Sequence, residues 1–426
     1  MTYRLFNISS QLDDTGQPSF LDGGYSWLRL AVSVLIATIG SVGMWSIIII
    51  LPILQTEFGA SRAEASLPFA AIMIGFGMGN LLVGRVVDRF GIFWPMACSA
   101  ILLAAGFYLS TQVTSIWQFA AIQGLFIGLG TGTCFGPLMS DISHWFSKRL
   151  GIAIAATASG NYFAGMLWPL ALKGIIETEG WRSAYMVILV VILAIMLPLS
   201  LLLRTRRPTS DISATNTAKP VSAAPRQTTS LSFRSLQNLK IAAGVCCCVA
   251  MSMPQVHIVA YATDLGYGIG RGAEMLSLML TGGIISRLAS GVLSDYIGGV
   301  RTLLIGSALQ ATALFLYIPF DSLSALYIIS FLFGLSQGGI VPSYAVIVRE
   351  YFPAGEAGKR VGIIILATVS GMAFGGWLNG AIYDLTGSYD AAFINGIIWN
   401  MANLLIIGFI LSRSKRSTGG SMAALA

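Results

Sequence analysis

The chain has 426 residues, of which 55% are hydrophobic and only 10% charged, with a mean hydropathy of +0.77. Ordinary soluble domains carry about 25% charged residues, so this composition excludes a soluble enzyme and an intrinsically disordered chain. Glycine is abundant, 48 of 426, which suits close packing of membrane helices. The expected fold class is an all-α membrane protein. The formal net charge of +7 matters through its distribution along the chain, and it calls for no nucleic-acid partner.

A helix needs about 20 apolar residues to cross the hydrocarbon core. The N-terminal stretch is polar up to Asp22 and shows no signal-peptide pattern. Residues 1–27 read as a cytoplasmic N-terminal segment. Six apolar runs follow near 28–54, 64–87, 92–111, 116–143, 151–175 and 183–203, forming a first bundle over 28–203. Residues 204–240 open with Arg204-Thr-Arg-Arg-Pro208 and continue in Ser, Thr, Ala and Pro, which reads as a flexible basic linker. Six more runs lie near 241–263, 272–294, 302–319, 324–348, 361–382 and 390–411, a second bundle over 241–412, and 413–426 is a cytoplasmic tail. The runs are continuous rather than alternating, which disfavours a β-barrel.

The halves repeat. Gly84-Arg-Val-Val-Asp88-Arg-Phe-Gly91 returns as Gly291-Val-Leu-Ser-Asp295-Tyr-Ile-Gly298, an offset of 207 residues (88 to 295). The thirteen residues from Lys148 to Gly160 return from Lys359 to Gly371 with nine identities. Duplicated halves around a midplane site are a hallmark of secondary transporters. With both termini inside, 20 of the 25 basic residues fall on the cytoplasmic side and four (Arg62, Lys173, Arg182 and Arg271) outside, an orientation set by the positive-inside rule. The protein is expected to be a multi-pass protein of the cell membrane.

One basic residue, Arg287, belongs to neither side. It lies near the middle of the eighth run, where a charge is costly and normally faces a cavity or a partner. A guanidinium there can grip a carboxylate with two parallel hydrogen bonds; the competing reading is a structural ion pair. His257, in the outer part of the seventh run after Pro254, is a candidate proton carrier, or else a neutral hydrogen-bonded side chain. Pro254 is expected to break or bend that helix and free backbone carbonyls there. Asn80, Gln123, Asn161, Tyr162, Gln337 and Tyr344 are polar residues near mid-depth, fit to line a cavity or to join helices. Asn161, Tyr162 and Gln337 lie nearest the middle and are the candidate substrate contacts. Gly84, Asp88, Arg89 and Gly91, with Asp295 in the repeat, form tight turns whose charges could bridge helix ends in one conformational state. The five cysteines sit in apolar stretches and make no chelating set, so no metal site is expected. There is no catalytic set and no phosphate-binding Gly-x-x-x-x-Gly-Lys-Ser/Thr loop.

The Gly84–Gly91 loop resembles the signature loop of the major facilitator superfamily, Gly-x-x-x-Asp-Arg-x-Gly. Asp22-Gly23-Gly24-Tyr-Ser-Trp27 resembles the monocarboxylate transporter signature at the start of the first span. The stretch from Trp145 through Lys148 and Arg149 to Gly160 resembles that family's second signature, leading into the fifth span. Arg287 matches the family's carboxylate-binding arginine. Where animal members carry a lysine in the first span this chain has Trp45, and where they carry an aspartate four residues before the arginine it has Gly283. Their proton path therefore does not transfer. The short loops are more similar to bacterial members, among them lactate carriers and oxalate–formate exchangers.

The resemblance implies twelve transmembrane helices in two pseudo-symmetric six-helix bundles, the major facilitator fold. It implies a secondary transporter of a small organic anion, a monocarboxylate, working by alternating access with proton symport. The chain is not expected to be an enzyme or to need a cofactor; a proton gradient is the expected driving force. Its partners would be the substrate, protons and the lipid bilayer, and it would act as a monomer. The alternatives are carboxylate exchange without protons, proton-driven export of drug-like or siderophore-like compounds, and a non-transporting sensor.

Overall fold

A peptide chain in hydrocarbon has no water to satisfy its N–H and C=O groups, so each apolar run closes its hydrogen bonds along its own helix. The computed structural model describes residues 21–146, 149–205 and 227–416. Among these residues, twelve helical spans are long and apolar enough to cross a membrane. Spans 1 to 6 are Gly24–Phe58, Arg62–Phe90, Phe93–Ser110, Ile116–Ser143, Leu150–Glu179 and Trp181–Leu202. Spans 7 to 12 are Phe233–Asp264, Gly268–Ile297, Gly299–Leu316, Leu323–Tyr351, Ala354–Thr386 and Tyr389–Ser412.

Several boundaries differ from the sequence reading, and span 11 begins at Ala354 rather than near 361. Span 1 begins at Gly24, so Trp27 is already helical. Span 7 begins at Phe233 rather than near 241, because the Ser232 hydroxyl accepts the Ser235 N–H at 3.2 Å and so starts the helix earlier. Pro254 also lies inside one continuous helix. The interruptions fall elsewhere: at Ser41 in span 1, at Cys134 and Phe135 in span 4, and at Gly338 and Gly339 in span 10.

The two repeated turns are built alike. Gly91 and Gly298 hold φ of +80° and +85°, a region that favours glycine. Each N–H caps the preceding helix, Gly91 onto the Val87 carbonyl and Gly298 onto that of Ser294. Beyond span 12, Ser414–Arg416 pairs antiparallel with Gln227–Thr229, a two-stranded ribbon on the near side of span 7.

The chain divides into two compact units. The first comprises residues 1–215 together with Val256–Thr281, the far end of span 7 and the near end of span 8. Within it, spans 2 and 4 lie backbone to backbone: a Cβ at Gly75 would strike the Gly124 carbonyl, and one at Gly132 the Phe76 carbonyl. The second unit comprises 216–255 and 282–426. There span 8 meets span 10 in the same manner, and a Cβ at Gly338 would strike the Gly283 carbonyl. Such contact through small residues is how helices associate without a hydrophobic driving force between them.

Candidate functional site

In the second unit the polar side chains at depth collect around the interruption of span 10. A helix broken at Gly338 and Gly339 leaves backbone groups without their intrahelical partners. Arg287 meets one of them: its Nε donates to the Gly338 carbonyl at 3.4 Å. Arg287 is partly exposed, while its helical neighbour Ser286 is buried. Ten residues separate it from Ile297, or about 15 Å of helical rise, so it lies deeper than any end-of-helix charge of span 8.

Gln337 is next to this carbonyl and fully buried. Its Oε1 accepts from Gln255 Nε2 at 2.7 Å, and its own Nε2 has no hydrogen-bond partner among the described residues. A buried amide that keeps an unused donor is an uncommon expense. The structure thus brings together two of the residues singled out in the sequence, Arg287 and Gln337, and adds Gln255. Gln255 stands in Pro254-Gln-Val-His257, inside an apolar run in which a buried amide is itself a polar signal. Tyr344 lies in the same unit and donates to Asn403 Oδ1 at 3.1 Å, joining spans 10 and 12.

Asn161, Tyr162 and His257 belong to the first unit. Asn161 is engaged: its carbonyl and Oδ1 both accept from Trp45 Nε1 at 2.9 Å, and its Nδ2 donates to Met44 Sδ at 3.7 Å. It therefore braces span 5 against span 1 through the residue that stands where animal relatives have a lysine. Tyr162 is buried beside it and His257 is buried completely. Asn80 spans the interruption of span 4, its Oδ1 accepting the Gly136 N–H at 2.8 Å. Gln123 donates to Ser110 Oγ at 3.1 Å.

The residues read as signatures turn out to be neighbours. The Asp22 N–H donates to the Trp145 carbonyl at 3.1 Å, and Asp22 itself holds φ of +55°. Tyr25 meets Trp145 edge to face, and Trp27 meets Phe146 likewise, both at 5.2 Å. Arg149 stacks over Trp27 at 5.5 Å. At the centre sits Arg29, 3% exposed, which grips Asp141 with two hydrogen bonds of 2.7 and 2.9 Å while its guanidinium faces the Trp145 ring. Gly23 and Gly24 start the helix that carries this arginine. Lys148 lies outside the described residues. Of the residues expected in turns only Gly91 stands at one: Gly84, Asp88 and Arg89 lie within the helix of span 2 and Asp295 within that of span 8, because each helix runs on to the glycine that caps it, and Arg89 and Asp295 are exposed.

At the end of the first unit remote from these arginines, Arg62 pairs with Asp264 at 2.8 Å and Lys173 with Glu274, tying the far end of span 7 and the near end of span 8 to spans 2 and 5. Arg182 pairs with Glu57 at 2.6 Å, and Trp181 Nε1 donates to the same carboxylate at 2.7 Å. Among the described residues, no group of histidine, cysteine, aspartate or glutamate side chains is disposed to hold a metal ion.

Comparison with known proteins agrees with this architecture. The chain is 25% identical over 384 residues to monocarboxylate transporter 13 of Rattus norvegicus, covering 88% of this chain and 86% of the relative. It is 24% identical over 352 residues to the uncharacterized MFS-type transporter YhjX of Escherichia coli, covering 80% and 84%. The fold is similar to that of a POT family transporter solved in complex with 5-aminolevulinic acid, with a TM-score of 0.69 at 12% identity over 95% of this chain and 99% of that one. The family model of the Major Facilitator Superfamily matches residues 33–323 and 242–423, and with twelve apolar helical spans and the repeated Gly84–Gly91 turn the chain belongs to that superfamily of membrane transporters.

Proposed function

We propose that this transporter carries a small monocarboxylate anion by proton symport and that Arg287 binds the carboxylate. The observation that supports this most is the placement of Arg287: a partly exposed guanidinium, deep in span 8, positioned by the Gly338 carbonyl at a break in span 10. A guanidinium cannot lose its charge under physiological conditions, and a charge at this depth implies a function. The name of the rat relative points to the same class of substrate. Gln337, in the same unit as Arg287, would supply a neutral hydrogen bond through its buried Nε2. Because the aspartate of animal relatives is Gly283 here, the proton would travel on His257 or on the substrate itself. Both termini would be cytoplasmic in a cell membrane, and the monomer would be the working unit. Binding would shift the population between two conformations, in one of which the Arg62–Asp264 and Lys173–Glu274 pairs are intact.

The test is uptake into liposomes containing the purified protein. Labelled lactate, pyruvate, formate and oxalate would be offered with and without a pH gradient. Carboxylate uptake that is driven by an inward proton gradient and lost in Arg287→Gln is the expected result. Uptake that survives Arg287→Gln would overturn the assignment. Uptake that ignores the gradient but follows internal anion would replace symport with exchange. His257→Gln should alter the pH profile if the histidine carries the proton; an unchanged profile would leave the substrate as carrier.

A further inference from the structure

The first unit carries a groove of about 710 Å³ that the transport reading does not use. Its walls are the last turns of span 2 and the first turns of span 3, and Leu129 and Thr133 of span 4 form its floor. Leu82, Val86, Phe90, Trp94 and Cys98 line it and are all exposed. The polar groups inside it are already spent. Ser99 Oγ donates to the Gly130 carbonyl at 2.8 Å, and Thr133 Oγ1 to the Leu129 carbonyl at 3.0 Å. What the groove presents is therefore hydrocarbon, and it recognises a hydrocarbon.

The mouth is different. The Arg89 guanidinium lies 5.3 Å from the Phe90 ring. The Arg204 guanidinium lies 5.9 Å from the Phe93 ring, which in turn meets Trp94 at 5.0 Å. Two cations thus flank an aromatic lip at the end of an apolar trough. Neither has a salt bridge to an acid among the described residues. An occupant matched to both parts has an apolar tail and an anionic head.

We propose that this groove is a binding site for an anionic diacyl phospholipid, one acyl chain lying along Leu82, Val86 and Cys98 and the phosphate between Arg89 and Arg204. A neutral lipid gains only the tail contact. Basic groups near a membrane surface each favour anionic lipid by a modest, additive amount. The wall of the groove is the helix that ends at Phe90 and is capped by Gly91, so an occupied site loads that turn from the membrane side.

The purified full-length protein would be reconstituted in phosphatidylcholine vesicles containing a small fraction of lipid brominated on its acyl chains. Bromine quenches nearby tryptophan, and the Trp94 signal is taken as wild type minus Trp94→Phe. The expected result is that brominated phosphatidylglycerol reaches half-maximal quenching of Trp94 at about tenfold lower mole fraction than brominated phosphatidylcholine. That preference should fall to near unity in Arg89→Gln/Arg204→Gln, and filling the trough with Cys98→Phe should weaken quenching by both lipids. Equal quenching by the two lipids in the wild type would overturn the proposal, as would a preference that survives the double substitution. Neither outcome bears on Arg287 or on carboxylate transport.

Discussion

Position 80 in span 2 and position 287 in span 8 are equivalent under the 207-residue repeat, and they hold different side chains. Asn80 accepts the Gly136 N–H beside the break in span 4, and Arg287 donates to the Gly338 carbonyl at the break in span 10. Both brace an interrupted helix. A neutral amide is enough for that task, as the first half demonstrates, so the guanidinium of the second half brings a charge that bracing does not require. The duplication thereby supplies an internal control: the structural role is common to both halves and the charge is not.

A second pair of equivalent positions reverses the contrast. Arg29, at the start of span 1, is held by Asp141, by the Leu203 and Thr205 carbonyls and by aromatic faces. Lys240, 211 residues later (29 to 240), is fully buried against the Phe352 ring at 4.3 Å, and its ammonium makes no hydrogen bond among the described residues. Arg360 faces the same ring at 4.1 Å. In the first half the buried cation is anchored by an acid; in the second, aromatic faces take that place.

Four experiments would break or sharpen these contrasts. Arg287→Asn should lower carboxylate uptake by about a hundredfold or more, as expected when a charged partner is removed from a buried carboxylate, while the protein still folds. Asn80→Ala should cost about 1–2 kcal/mol of stability for its lost hydrogen bonds and alter uptake by less than about threefold. Equal uptake losses at both positions would end the distinction. Next, Asp141→Asn should destabilise the protein by about 3 kcal/mol, because it leaves a buried guanidinium without its counter-charge. Lys240→Met should be neutral or stabilising in the same thermal unfolding measurement, and a similar loss in both would mean that the two cations are held alike. Third, Gln255→Leu should leave a second buried group of Gln337 without a partner and cost about 1–3 kcal/mol, read by the same melts. The smallest effect is expected for Arg182→Gln, whose exposed pair with Glu57 should contribute at most about 1 kcal/mol.

Much of the fold was legible because lipid simplifies the grammar. Twelve apolar runs became twelve helices, and the repeated Gly91 and Gly298 turns adopted matching geometry. Arg287 was legible for the same reason, since no apolar context hides a charge. The helix breaks at Cys134–Phe135 and Gly338–Gly339 were not, because glycine is common throughout the spans and marks close packing as often as interruption. Pro254 does not break span 7: a long, heavily buried helix runs through it. Arg29 stands only five residues after Gly24, and its burial depends on Asp141, more than a hundred positions away. Gln255 was overlooked because its partner Gln337 lies 82 residues further along. Pairings across such distances leave no trace in local pattern.

Val256–Thr281 completes the first unit although the chain delivers it only after the 206–226 stretch. Covalent order and packing order therefore disagree. Made as two polypeptides divided within that stretch, the second would carry the piece that the first needs, including Asp264 for Arg62 and Glu274 for Lys173. The partners of a severed chain should then find each other in the bilayer and leave it as one complex, a molecule whose continuity is kept by its packing after its backbone has been cut.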